Sequence, residues 1–140
     1  MSQLPDVVDA VQAYLAADSA VAAVVATRIW PAETPESEST SMPRACVVVR
    51  LAGGWPSIND APIEHCDVDL TCYGSTPKEA RTVYQAAHDA MRNMGREVAA
   101  GVKLYSARRA GGPFQGREPD TAWPMVWSSW AVLASEQSTS

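Results

Sequence analysis

His65, Asp67 and Asp69 alternate along one segment. An imidazole with two carboxylates is a donor set that could hold a divalent cation or pass a proton. On an extended strand the alternation puts all three on one face, yet side chains two apart stand about 6.5 to 7 Å from each other. That is too wide for three groups to close on one ion, and no HExxH, cysteine pair or carboxylate-rich loop supplies further ligands. The row reads first as a solvated or interface-facing acidic face, with a small metal-binding module or enzyme as the alternative. Nucleophilic chemistry has no better frame. Cys46, Cys66 and Cys72 fall on or beside segments that read as core strands, where a thiol packs as a small hydrophobe. No GxSxG elbow presents a serine. Gly111, Gly112 and Gly116 lack both the GK[ST] and the helix start of a phosphate-binding loop. The expectation is therefore no catalytic residue, no metal ligand, no cofactor and no enzyme.

The elements that must carry these residues fit one globular domain over 1–140. The chain is 46% hydrophobic and 19% charged, and a domain of this length removes roughly two-thirds of its unfolded surface from water. Its net charge is -5, the wrong sign for a chain that neutralises nucleic-acid phosphates. The longest apolar run, Ala20 to Ala26, is far below the ~20 residues of a bilayer span, so no membrane is expected. The N-terminus has no basic stretch leading into a long apolar core, so no secretory leader is expected either. Three cysteines without a CxxC pair predict free thiols in a reducing cytoplasm.

Leu4, Val7, Val8, Val11, Tyr14 and Leu15 have helical spacing, with Pro5 at a tolerated first-turn position, and predict a helix from about Pro5 to Ala16. Asp18 and Ser19 can cap a second short helix through Val25, and Arg28 to Trp30 reads as a brief strand. Residues 31–42 hold two prolines, three glutamates and five Ser or Thr, a composition for an exposed loop. Arg44 to Leu51 is a β-branched strand. Glu64 to Tyr73 alternates, with Cys66, Val68, Leu70 and Cys72 on one face and His65, Asp67, Asp69 and Thr71 on the other. AGGWPSINDAP connects the two as a long-looped hairpin.

Thr76-Pro77-Lys78-Glu79 is a capping box with proline at the first helical position. Ala80, Val83, Tyr84, Ala87, Ala90, Met91 and Met94 form the stripe of that helix, His88 falls on its polar side, and Gly95 closes it. A strand from Val102 to Arg108, a glycine-rich loop over 109–123, a strand from Pro124 to Ala134 and a flexible tail over 135–140 follow. The order predicts an α+β fold: a four- to five-stranded, mostly antiparallel sheet with two main helices packed on one face.

Trp127 and Trp130 have odd spacing on the last strand, so one of them must point away from the helices. Tryptophan is enriched at interfaces, and with Phe114, Arg109 and Arg117 in the preceding loop it predicts a subunit or partner contact. A loop of this length is usually functional or disordered. Asp67 and Asp69 make their strand face acidic.

The segments DVVDAVQAYLAADSAVAAVVATRIWPAETP, PRACVVVRL and DVDLTCYGSTPKEARTVYQAAHDAM resemble the tail-terminator and tail-completion proteins of long-tailed bacteriophages and related prophages. The likeness rests on the order of elements, with a short strand ending Arg-Ile-aromatic-Pro, a Pro-led strand, a strand ending Tyr-Gly and a capped helix, and covers roughly Pro5 to Ala134. It implies a structural virion protein, assembled in the host cytoplasm, that forms a homo-oligomeric ring of six subunits at the head-proximal end of the tail tube. Its implied partners are the tail tube protein and the head-tail connector or head-closure protein, with genomic DNA only passing through the ring. In such a ring Asp67 and Asp69 would either line the channel or pair with Arg44, Arg50 or Arg108 of a neighbouring copy. Another neck component, such as a head-closure protein itself, is the alternative within this class.

Overall fold

Capping residues start the helices where the sequence places them. The computed structural model describes residues 6–55 and 63–136. Helix α1 spans Val7–Ala16 and α2 Ser19–Val25, bent from each other by 87°. Asp6 caps α1 by accepting from the Asp9 amide at 3.1 Å, and Asp18 caps α2 by accepting from the Ala20 and Val21 amides. Leu4 and Pro5, assigned to the first helix by spacing, lie outside the described residues. Strand β1 (Ile29–Pro31) and a single helical turn α3 (Glu36–Ser39) come next. They lead into strands β2 (Cys46–Trp55) and β3 (Ile63–Tyr73). Helix α4 (Pro77–Arg92), strand β4 (Glu97–Ala99) and the long strands β5 (Val102–Arg117) and β6 (Pro124–Glu136) complete the chain.

The capping box of α4 forms. Thr76 Oγ1 accepts from the Glu79 amide at 3.1 Å, and Glu79 Oε1 reaches back to the Ser75 amide at 2.9 Å. The helix ends at Arg92 with Asn93 as its C-cap, two residues ahead of the expected Gly95.

One six-stranded sheet runs in the order β1-β2-β3-β6-β5-β4. The α+β class stands, but the strand count is six rather than four or five, and β1 pairs with β2 in parallel. The other pairs are antiparallel. The glycine-rich stretch is the larger correction. Instead of a loop over 109–123, β5 stays paired with β6 to Arg117↔Pro124, and only 118–123 turns. Register shifts at Leu104/Ser106, Arg109/Gly111 and Gly111/Phe114 absorb the residues that break a regular strand, as bulges do. Gly112 is needed there. Its φ is 81°, and a Cβ on it would stand 2.7 Å from the Trp127 carbonyl oxygen. The expected loop 31–42 contains α3, and Glu136 of the expected tail pairs with Val102. Residues 52–55 of the expected connection extend β2; 56–62 and 137–140 lie outside the described residues.

The helices cover one face of this sheet. Val11 and Leu15 of α1, Val21 and Val25 of α2 and Val83, Ala87 and Met91 of α4 pack with Val47, Val49, Val68, Leu70, Trp130 and Val132. Tyr14 of α1 donates its hydroxyl to the Ala90 carbonyl of α4 at 2.6 Å, tying the two helices together. A second, smaller core sits on the other face, where Cys46, Val48 and Tyr73 are buried under Trp30, Met42, Trp123 and Met125. One end of the face expected to be open is therefore closed by the chain itself.

Replacing Thr76 with Ala removes the α4 cap and is expected to lower stability by about 1 kcal/mol, read as a lower urea midpoint with an unchanged slope.

Candidate functional site

Strand β3 delivers the acidic row as its alternation requires. Cys66, Val68 and Leu70 face the helix-side core, so His65, Asp67 and Asp69 lie on the opposite face. His65 Nε2 is 3.9 Å from Asp67 Oδ1. Asp69 Oδ1 is buried and accepts no hydrogen bond from the described residues. Its cross-strand neighbour Arg50 donates Nε to the Ala32 carbonyl at 2.6 Å, and Arg44 pairs with Glu38. Two of the arginines considered for pairing with a neighbouring copy are thus engaged within their own subunit. Among the described residues no group of three or more His, Cys, Asp or Glu side chains converges as a metal site.

The two tryptophans of β6 part as their spacing demands, with different consequences. Trp130 lies in the helix-side core at 2% exposure, and its Nε1 donates to Ser128 Oγ at 2.9 Å. Its indole is used up by the fold, which corrects its reading as a contact residue. Trp127 faces the other way, half-buried, with Thr71 across β3 and Phe114 across β5. Phe114 is 58% exposed, and its ring lies against Gly116, where a Cβ would meet Cε1 at 2.9 Å. Phe114 and Trp127 are therefore one apolar patch on a stiff two-stranded ribbon.

Arg109 and Arg117 do not join that patch. Arg117 Nη1 donates to the Ala122 carbonyl at 2.9 Å, closing the 118–123 turn, and Arg109 Nη1 donates to the Tyr84 hydroxyl of α4 at 3.2 Å. The side chain of Arg109 belongs instead to a cleft of about 340 Å³ between α4 and β5, lined by His88, Arg92, Ala107, Arg108, Arg109 and Trp130. The His88 ring stands 5.6 Å from both Tyr84 and Trp130, and its Nδ1 is 3.2 Å from Asp89 Oδ1. The sequence reading placed His88 on the polar side of its helix and missed this basic cleft. Its signal was two short basic runs, Arg108-Arg109 and His88 with Arg92, on elements that only the fold brings together.

A second cleft, about 510 Å³, lies at the β1 edge between Asp6, Val8, Asp9, Pro31, Ala32, Arg50 and Leu51. The Asp6 charge beside it pushes the Asp9 carboxyl above its ordinary range.

The thiols hold no nucleophile. Burial pushes Cys46 up to about 12, against a smaller opposite pull from Arg28 and Arg44, and burial also raises Cys72. Tyr73 is raised by burial and then by its hydrogen bond to Glu118 Oε2 at 2.5 Å. All three stay protonated at neutral pH.

The family described as Tail completion protein gp17 matches residues 9–132. The chain belongs to that family. A solved structure titled "Virion of native gene transfer agent (GTA) particle" contains a chain with this fold, at a TM-score of 0.64 and 18% identity, covering 90% of this chain and 92% of that one. None of the curated proteins compared matches. As a tail-completion protein the molecule is a structural component of phage-like tails.

The raised thiol and phenol values set a pH dependence. The folded state keeps these protons while the unfolded chain gives them up, beginning near the ordinary thiol value of 9.0. Stability from them is complete below that pH and is lost as pH rises toward the Cys46 value of about 12. Urea midpoints of the tail-completion protein are expected to fall over this window, and less steeply in Cys46→Ala.

Proposed function

We propose that the protein is a tail terminator: a homo-oligomeric ring, most simply of six subunits, that caps the head-proximal end of the tail tube, stops its growth and joins it to the head connector or head-closure protein. The observation that carries this is the tail-completion family match over residues 9–132, on a fold whose exposed features are patches and not a catalytic centre. A cyclic ring needs two different, complementary patches on each subunit. The β1 and β5–β4 edges lie at opposite ends of the sheet and can supply them.

In this reading the ribbon carrying Phe114 and Trp127, with Arg117 at its turn, docks on the tail tube. An exposed aromatic on a stiff support is the usual anchor of a contact, because little conformational freedom is lost on binding. The acidic row of Asp67 and Asp69 faces the channel, where its charge repels the phosphates of DNA passing from the head. The engagement of Arg44 and Arg50 within the subunit supports this placement over an inter-subunit pairing of the aspartates.

Virions assembled without the protein are expected to show overlong tails and unjoined heads under the electron microscope, and purified protein is expected to restore joining. Tails of normal length joined to heads in its absence would sink the terminator reading. Phe114→Ala is expected to fold normally and cap tubes roughly tenfold less well. Asp67→Asn with Asp69→Asn is expected to leave ring assembly intact; loss of rings in that variant would place the aspartates between subunits.

A further inference from the structure

The basic cleft between α4 and β5 is out of keeping with the rest of the chain. In a molecule of net charge -5 with only 11 Lys and Arg, Arg92 and Arg109 meet His88 around one cleft. Arg108 also borders it, but its register opposite Ala131, in line with Asp67, sends its side chain to the other face of the sheet. Neither Arg92 nor Arg109 pairs with a carboxylate among the described residues; Arg109 has only the neutral Tyr84 hydroxyl. The carboxylate at the rim, Asp89, is already engaged by Gln85 Nε2 at 3.0 Å and by His88 Nδ1. Trp130 and Ala107 give the cleft an apolar floor. Such a cleft keeps its arginines solvated and unpaired in the subunit and presents them together to an anion.

At the opposite end of the sheet the charge reverses. The segment after β1 carries Glu33, Glu36 and Glu38 on and before α3, which buries no residue of its own. Glu38 is held by Arg44, while Glu33 and Glu36 stand exposed with no side-chain partner among the described residues. The α3 segment follows the edge strand β1, and the cleft borders β5 near the other edge. A positive socket near one edge and a negative projection at the other are the two unlike halves of a head-to-tail contact, and repeated head-to-tail contacts close into a ring.

We infer that the cleft of His88, Arg92 and Arg109 receives the acidic α3 segment, Glu33 to Ser39, of the next copy of this chain. This rests on the ring reading given above and names the contact that builds the ring. Complementary charge fixes partner and register, and the like-charged alternatives, cleft against cleft and α3 against α3, are repelled. Because the two halves lie at opposite ends of the sheet, one partner does not engage both at once, and the open-ended or cyclic arrangement is selected over the closed dimer.

The test is a charge exchange between copies. One variant carries Arg92→Glu and Arg109→Glu, the other Glu33→Arg and Glu36→Arg. Rings are counted by negative stain and sedimentation, alone and on tail tubes, with circular dichroism confirming that each variant folds. Each variant alone is expected to form rings at least roughly tenfold less well than the wild type, since every contact then opposes like charges. An equimolar mixture is expected to recover rings, because the two chains can alternate around an even-numbered ring with every contact again of opposite sign. Should loss of the Tyr84 contact unfold the first variant, Arg92→Glu alone takes its place. Wild-type yield in either variant, or failure of the mixture to recover, would overturn the inference while leaving the ring standing. Loss of affinity for duplex DNA in the arginine variant, with rings unaffected, would reassign the cleft to nucleic acid. A wild-type protein that forms no ring in solution or on tubes would remove the ring reading and the inference together.

Discussion

Everything in this molecule hangs on the pairing of β3 with β6 at the centre of the sheet, an uninterrupted ladder from Ile63↔Ser135 to Tyr73↔Met125. Because the pleat alternates, that one register sends Val68, Leu70, Trp130 and Val132 to the helices and His65, Asp67, Asp69 and Trp127 to the other side. A slip by a single residue would exchange the two sets and bury the aspartates. The cost of moving unpaired carboxylates into an apolar core, together with the loss of the Trp130 packing, is what holds the register.

The helix-side core then determines what the surface can offer. Trp130 fills the space beneath α4 and its Nε1 is satisfied by Ser128, so α4 is held at a fixed distance from β5. That spacing creates the cleft in which Arg92 from the helix meets Arg109 from the strand. On the other face, the small core around Cys46, Val48 and Tyr73 anchors the chain that follows α3 through Met42. The acidic α3 turn is thus displayed from a packed base. Both features proposed to meet between subunits are consequences of how the subunit buries its own aromatics.

In this tail-completion protein the polar and aromatic groups divide between interior and surface. Burial raises the Cys46 and Cys72 thiols and the Tyr73 phenol, and the exposed aromatic Phe114 sits on a paired ribbon instead of a free loop. Bulges re-aim the side chains of β5 without unpairing it, which gives the ribbon a rigid tip and an irregular edge that resists pairing with stray strands.

The sequence alone determined whatever local physics controls. The Asp18 and Thr76 caps, the alternation of β3, the apolar stripe of α4 and the split of Trp127 from Trp130 across the sheet each depend on residues within a few positions of one another, and each was legible. The family likeness was also legible, in the order of those elements. What distant strands decide was not. Gly111, Gly112 and Pro113 read as a loop because they break an isolated strand, yet β6 supplies a ladder that tolerates them as bulges. β4 is a three-residue element with little propensity of its own, and the brief strand β1, legible in the sequence, took its parallel partner only because the β2 edge was available. The spacing showed that one of the two tryptophans must leave the core, but only packing against α4 chose Trp130 to stay. Arg109 was read with Phe114 because they are near in sequence; the twist and bulges of β5 turn it instead toward Tyr84 and a cleft whose other wall is contributed from more than a dozen residues away. Sequence fixes the faces of elements, and the tertiary structure decides which faces meet.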